Sequence, residues 1–118
     1  MNNLQVIIAF NEALNRRDVD TMMRLMTADC IFDNTSPAPD GTRYQGQAAV
    51  RAFWENFFGN SSKATITIEE IFEMDNRCVM CWRYDWIDLS GKAGHVRGVD
   101  IYKLENSLIA EKLSYVKG

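Results

Sequence analysis

The sequence predicts an α+β fold, with helices in its first half and consecutive antiparallel strands in its second. Three patterns carry that prediction. Apolar residues recur at helical spacing up to about residue 58, apart from one short extended stretch. From about residue 64 onward, apolar and polar residues alternate. Short turn signals then separate the alternating segments in succession, the order of an antiparallel arrangement rather than of a parallel α/β one.

The elements follow in order. Val6, Ile7, Phe10, Ala13 and Leu14 form the apolar stripe of a first helix, with Asn2 or Asn3 available as its cap. Asp18 reads as the N-cap of a second helix, with Asp20 in the first turn where a negative charge suits the helix dipole. Val19, Met22, Met23 and Met26 make its stripe, as core filler. Residues 30–34 are extended. Residues 35–46, with Pro37, Pro39 and the Asp40-Gly41 turn signal, read as a loop. A third helix is expected over 47–58, with Val50, Phe53, Trp54 and Phe57 inward and Gly59 as its stop. Strands follow over 64–72, 77–87, 95–104 and 108–116, joined by turns at Asp75-Asn76, at 90–94 and at Glu105-Asn106-Ser107.

Composition narrows the function classes. The chain has 118 residues, a length for one domain over 1–118, and 47% of them are hydrophobic, enough for a core without disulfides or structural metal. Its formal net charge is −3, so it lacks the basic footprint that nucleic-acid binding needs. No apolar run approaches the roughly 20 residues needed to span a bilayer, so no membrane partner is expected. The N-terminal residues carry no basic and apolar leader pattern, and the cysteine count of 3 is odd; together these point to free thiols and a cytoplasmic protein. Cys78 and Cys81 are spaced as a C-x-x-C pair, but three residues apart on a strand they face opposite ways and cannot chelate or bridge. Asn34-Thr35-Ser36 and Asn60-Ser61-Ser62 match the glycosylation pattern, which without secretion is loop chemistry only. One histidine and scattered carboxylates make no metal cluster, and no nucleophile elbow, P-loop or dinucleotide fingerprint occurs; no cofactor is expected.

Four segments carry a family resemblance. They are Phe10-Asn11-Glu12-Ala13-Leu14-Asn15-Arg16-Arg17-Asp18; Ala28-Asp29-Cys30-Ile31-Phe32-Asp33-Asn34; Tyr44-Gln45-Gly46 with Ala49-Val50-Arg51-Ala52-Phe53-Trp54; and Val99-Asp100-Ile101-Tyr102. In this order and spacing the chain resembles the nuclear transport factor 2-like superfamily, in its SnoaL-like and ketosteroid-isomerase-like branch. The resemblance implies a cone-shaped barrel, three helices packed on a curved antiparallel sheet that encloses a pocket, and a homodimer formed through the outer sheet face. It does not imply one activity, because the superfamily hosts isomerases, cyclases, hydrolases and binding modules.

Several residues are candidates for that pocket. Trp82, Tyr84 and Trp86 share one face of their strand and are either core or an aromatic pocket wall. Trp54 and Phe10 would close the same cavity from the helices. Asp100 shares a strand face with Val96, Gly98, Tyr102 and Leu104, and a carboxylate among such neighbours must be paired, hydrated or protonated. The resemblance places Asp100 where ketosteroid isomerases keep an acid in the oxyanion hole. It also places Phe10 at the oxyanion tyrosine and Asn34 at the catalytic aspartate, so steroid isomerisation by that route is not expected. Glu111, with Leu113 and Tyr115 on its face, would be a second pocket carboxylate if that face looks inward; Lys112 would then be exposed. His95 alternates away from Asp100, and only a bulge at Gly98 would bring the two together. The expected ligand is a small apolar or aromatic molecule. The expected activity is either cofactor-free acid/base chemistry by Asp100, Glu111 and His95, or plain binding.

Overall fold

The computed structural model describes residues 1–60 and 63–118, so the Asn60-Ser61-Ser62 pattern lies partly outside the described residues. Three helices, α1 (Asn3–Arg16), α2 (Val19–Arg24) and α3 (Gln47–Gly59), pack on one six-stranded sheet. The strands are β1 (Met26–Asp33), β2 (Arg43–Gln45), β3 (Lys63–Met74), β4 (Arg77–Ile87), β5 (Ala93–Glu105) and β6 (Leu108–Val116). Their order is β2-β1-β6-β5-β4-β3. The sheet is open, with β2 and β3 as its edges, so it is a cone wall rather than a closed barrel.

The helices begin where their caps dictate. Asn2 and Gln5 form a reciprocal capping box, with the Asn2 side chain accepting from the Gln5 amide at 2.9 Å. Asp18 caps α2 through the Thr21 amide at 3.1 Å. The inward stripe of α1 buries Val6, Ile7, Phe10, Ala13 and Leu14 against the sheet. Asn15 fixes the angle of that helix by bonding both the amide and the carbonyl of Ile66 on β3, at 2.8 and 2.9 Å. Arg17 reaches the Phe58 carbonyl at 3.1 Å, which ties the end of α1 to the end of α3.

Three expectations need correction. Met26 does not extend the α2 stripe: α2 stops at Arg24 and Met26 opens β1, four residues before the extended stretch expected at 30–34. The expected loop over 35–46 contains β2, whose Arg43, Tyr44 and Gln45 pair with Asp33, Phe32 and Ile31. Its three residues are too few for a period-2 pattern to stand out. The sheet is also not wholly antiparallel. β1 lies parallel to β6, a pairing between strands joined by most of the chain, which no hairpin signal could announce.

Candidate functional site

The site is set by the inner faces of β4, β5 and β6. β4 and β5 pair without a register break from Arg77 opposite Lys103 to Ile87 opposite Ala93, so alternation holds along both strands. Trp82, Tyr84 and Trp86 therefore face one side, and all three line a cavity of about 700 Å³. Small residues opposite them make room for the rings. A Cβ on Gly98 would lie 2.5 Å from the Trp82 ring and one on Gly94 would lie 2.6 Å from the Trp86 ring, so only glycine fits beneath each indole. Gly98 is thus a close-approach glycine, and the bulge entertained there does not occur.

From the other side, α3 and β1 supply a second aromatic layer. Trp54 stacks on Phe32 with centroids 5.2 Å apart and planes at 15°. Phe57 lies edge-on to Trp54 at 5.6 Å and bridges to Tyr84 at 6.2 Å. The two layers wall the cavity, with Leu14, Ile66 and Val96 between them.

At the inner end of this apolar space lies one polar cluster. Asp100 is 1% exposed. Its Oδ1 accepts from Trp82 Nε1 at 2.9 Å, and its Oδ2 accepts from the Tyr102 hydroxyl at 3.1 Å. Lys112 Nζ lies 3.2 Å from the same Oδ2, and the two side chains are 6% and 1% exposed. The carboxylate is therefore paired, the outcome that lets a charge exist in such a place. Lys112 also donates to Ser114 Oγ at 3.0 Å and sits over the Phe32 ring at 4.6 Å and the Trp54 ring at 5.7 Å. Asn11 donates to the Tyr102 hydroxyl at 3.3 Å and locks that ring from behind. Burial, with the Asp100 charge beside it, pushes the Tyr102 phenol well above its ordinary value, so it stays a protonated donor.

The structure brings together part of the expected site and disperses the rest. Asp100, Asn34, Trp54, Trp82, Tyr84 and Trp86 all line the cavity. Tyr102 is fully buried behind Asp100 and touches the site through it. Phe10 is fully buried core and is absent from the cavity wall. Asp33, beside Asn34, faces away and pairs with Arg43 at 2.7 Å, and the hydrogen bonds from Arg43 hold its carboxyl below the usual range.

The largest correction concerns β6. Glu111 points to the outer face, where it meets Arg77 at 3.5 Å, and Leu113 and Tyr115 follow it outward. Lys112, expected outside, is inside, followed by Ser114 and Val116, which line the cavity. The cause is a bulge. Lys103 pairs with Glu111 but Leu104 pairs with Ile109, so Ala110 is an extra residue and every side chain beyond it changes face. The adjacent apolar pair Ile109-Ala110, both buried, was the available signal. His95 is exposed, sits opposite Asp85 and does not line the cavity, because alternation on β5 is unbroken.

Among the described residues no cluster of His, Cys, Asp or Glu could hold a metal ion. Cys78 and Cys81 sit opposite Tyr102 and Val99, on opposite faces, as expected, and all three cysteines are free. Among the described residues no helix is long and apolar enough to cross a membrane.

Comparison with known proteins places these features in a family. Residues 7–112 match the SnoaL-like domain. A solved NTF2-like protein of unknown function from Mesorhizobium loti is 29% identical, with 98% of this chain and 91% of that one covered and a TM-score of 0.81. A Mycobacterium tuberculosis protein solved in complex with estradiol-17beta-hemisuccinate is 22% identical over 96% of this chain and 92% of its own, with a TM-score of 0.82. TerC, co-crystallised with polyporic acid, is 15% identical over 98% and 91%, with a TM-score of 0.85. No curated protein matches the sequence.

Proposed function

The chain belongs to the SnoaL-like domain family, and from that premise we propose that it is a cofactor-free acid/base enzyme acting on a small apolar ring molecule. The observation that carries this reading is the buried Lys112–Asp100 pair, at 3.2 Å, inside a cavity whose wall includes Phe32, Trp54, Phe57, Trp82, Tyr84 and Trp86. One buried carboxylate would serve binding alone. Two ionisable groups in contact, both reaching the same cavity, can move a proton without leaving an unpaired charge behind. In this reading Lys112 is the group that meets negative charge developing on a substrate atom, and water excluded by the aromatic walls strengthens that interaction. Asp100 sets the charge and position of Lys112, and Trp82 and Tyr102 hold Asp100. The complex of the Mycobacterium tuberculosis protein with estradiol-17beta-hemisuccinate and the co-crystal of TerC with polyporic acid support a small-molecule ligand here.

A second reading, a non-catalytic binding module, is favoured by one fact. Both oxygens of Asp100 already accept from protein donors. One experiment separates the two: a library of planar apolar compounds incubated with the protein in deuterated water, with deuterium uptake read by mass spectrometry. Acid/base chemistry at carbon exchanges protons with solvent, so the enzyme reading expects uptake, falling roughly 100-fold in Asp100→Asn. Binding of library members without uptake by any of them supports the module instead.

The assembly in this proposal is a homodimer through the outer sheet face, where Arg83, Asp85, Arg97 and Val99 turn away from the cavity. Sedimentation at micromolar concentration showing only a 13.5 kDa species overturns it.

A further inference from the structure

The outer end of the cavity differs from its floor. Ile87, Leu89 and Val116 are large hydrophobic residues that stand exposed, and all three line the cavity. A single exposed leucine needs no explanation, but three aliphatic residues around one opening form a patch with a use. Leu89 is the extreme case. It is 82% exposed, on the loop between β4 and β5, at the rim of a space walled by apolar rings.

The loop that carries Leu89 is built to keep its shape. The Asp88 amide donates to the Lys92 carbonyl and the Gly91 amide donates to the Asp88 carbonyl, both at 2.9 Å. Asp88 Oδ1 accepts from the Ser90 hydroxyl at 2.6 Å and from the Ser90 and Lys92 amides at 2.9 Å. The Ser90 hydroxyl, and after it the loop amides, hold that carboxyl below its usual range, so the charge that ties the loop together persists at neutral pH. Gly91 closes the turn with a φ of 86°, a region that favours glycine. The arm beneath this loop is supported on one side only. β6 ends at Val116 opposite Gly98, and the Lys117 amide adds one last bond to the Arg97 carbonyl. Ala93 to Val96 therefore have β4 as their only strand neighbour, while β4 stays paired with β3 up to Ile87 opposite Lys63. A self-bonded loop on a partly supported arm bends as a body rather than unravelling.

We propose that the end of the β4–β5 arm is a lid, whose loop Asp88–Lys92 moves as a unit toward the α3 side of the cavity when an apolar ligand enters, so that Leu89 closes the mouth over it. The inference rests on the pocket reading above and adds the element that controls entry and release. Closure would bury Leu89 against the ligand, which gives the ligand the differential affinity for the closed form that any such shift requires. Without a ligand nothing apolar lies beneath Leu89, and the arm stays open. Asp88 is a positioning residue in this scheme, since it keeps the loop rigid enough to carry Leu89 inward.

The test measures movement and release with one probe, 2-naphthol, whose binding at pH 7 is read by quenching of tryptophan emission. Nitroxide labels are placed on Lys92→Cys in the loop and Glu55→Cys on the exposed side of α3, with Cys81→Ser removing the one native cysteine that is not buried. Electron spin resonance should show the distance between the labels shortening when the probe saturates the protein. Release is read separately, from exchange broadening of the probe's NMR signals. Leu89→Ser should speed dissociation roughly tenfold, the factor that burial of a leucine side chain allows, and its exposure means that the fold does not depend on it. Asp88→Ala, which keeps the leucine and loosens the loop, should speed dissociation several-fold. A label distance that does not change with the probe bound, or a dissociation rate untouched by Leu89→Ser, overturns the lid and leaves the apolar pocket standing. Failure of the probe to bind at millimolar concentration overturns the pocket reading and the lid with it.

Discussion

The two faces of the sheet use the same chemistry to opposite ends. On the outer face Arg77 meets Glu111, Arg97 meets Glu69 and Arg83 meets Asp85, each pair with substantial exposure on one or both sides. On the inner face a single pair among the described residues, Lys112 with Asp100, lies among aromatic rings almost out of reach of water. The outer pairs trade water contacts for each other and gain little, because solvent screens them. The inner pair cannot make that trade. Each partner there depends on the other, on Trp82, on Tyr102 and on Ser114 to offset its lost hydration. Position in the fold, not residue type, decides which pair costs the protein something and which can touch a ligand.

The sharpest way to break this contrast is to remove one inner partner. Lys112→Met should destabilise the protein by about 3–5 kcal/mol, because the Asp100 charge is left buried and alone. The double variant with Asp100→Asn should recover most of that loss. Urea unfolding at pH 7 measures both, and a Lys112→Met protein as stable as the native one would mean that the inner face is as wet as the outer.

The next effect tests the packing that keeps the inner face dry. Gly98→Ala puts a methyl group against the Trp82 ring on one side and the Tyr115 carbonyl on the other. Overpacking of this kind costs typically about 1–3 kcal/mol, and displacement of Trp82 should also weaken its bond to Asp100. The same unfolding curves, with tryptophan emission as a second readout, check it.

Tyr102 gives a smaller effect with a pH signature. Its folded-state pKa is raised by burial and by the Asp100 charge. A raised group contributes stability that is fully present below its unfolded value, about 10, and is lost as pH rises from there toward the folded value. Stability should therefore fall as pH climbs past about 10. Tyr102→Phe should lose about 1 kcal/mol at pH 7 through its hydrogen bonds and should show a shallower alkaline decline. Chemical denaturation at pH 8, 9, 10 and 10.5 compares the slopes.

The outer face supplies the smallest effect. Arg77→Ala removes the partner of Glu111 and should change stability by less than about 1 kcal/mol, with the difference shrinking further in 0.5 M salt. A loss there as large as that of Lys112→Met would erase the distinction between the two faces.

How much of this was legible in the chain depends on the range of the interaction concerned. The caps of α1 and α2, the stripe of α1 and the aromatic face of β4 were readable because each is local. A capping side chain bonds an amide three residues on, and a strand side chain alternates with its neighbours whatever lies across the sheet. Asp100 was placed inside for the same reason, since β5 runs unbroken from Ala93 to Lys103 against β4. The short β2 was missed because its three residues are held by β1 rather than by any pattern of their own.

The sequence by itself determined the three helices, the strands β3 to β6 and which way the side chains of β4 and β5 face, because backbone caps and period-2 alternation act over a few residues. Only the tertiary structure decided that Lys112, rather than Glu111, completes the site. That choice turns on Ala110, the extra residue between the partners of Leu104 and Lys103, and a bulge exists only in relation to a partner strand. Glu111 finds Arg77 outside and Lys112 finds Asp100 inside, each the opposite of what unbroken alternation requires. A shift of one residue on one strand thus replaced an acid pair by an ion pair, and with it the chemistry the cavity can offer.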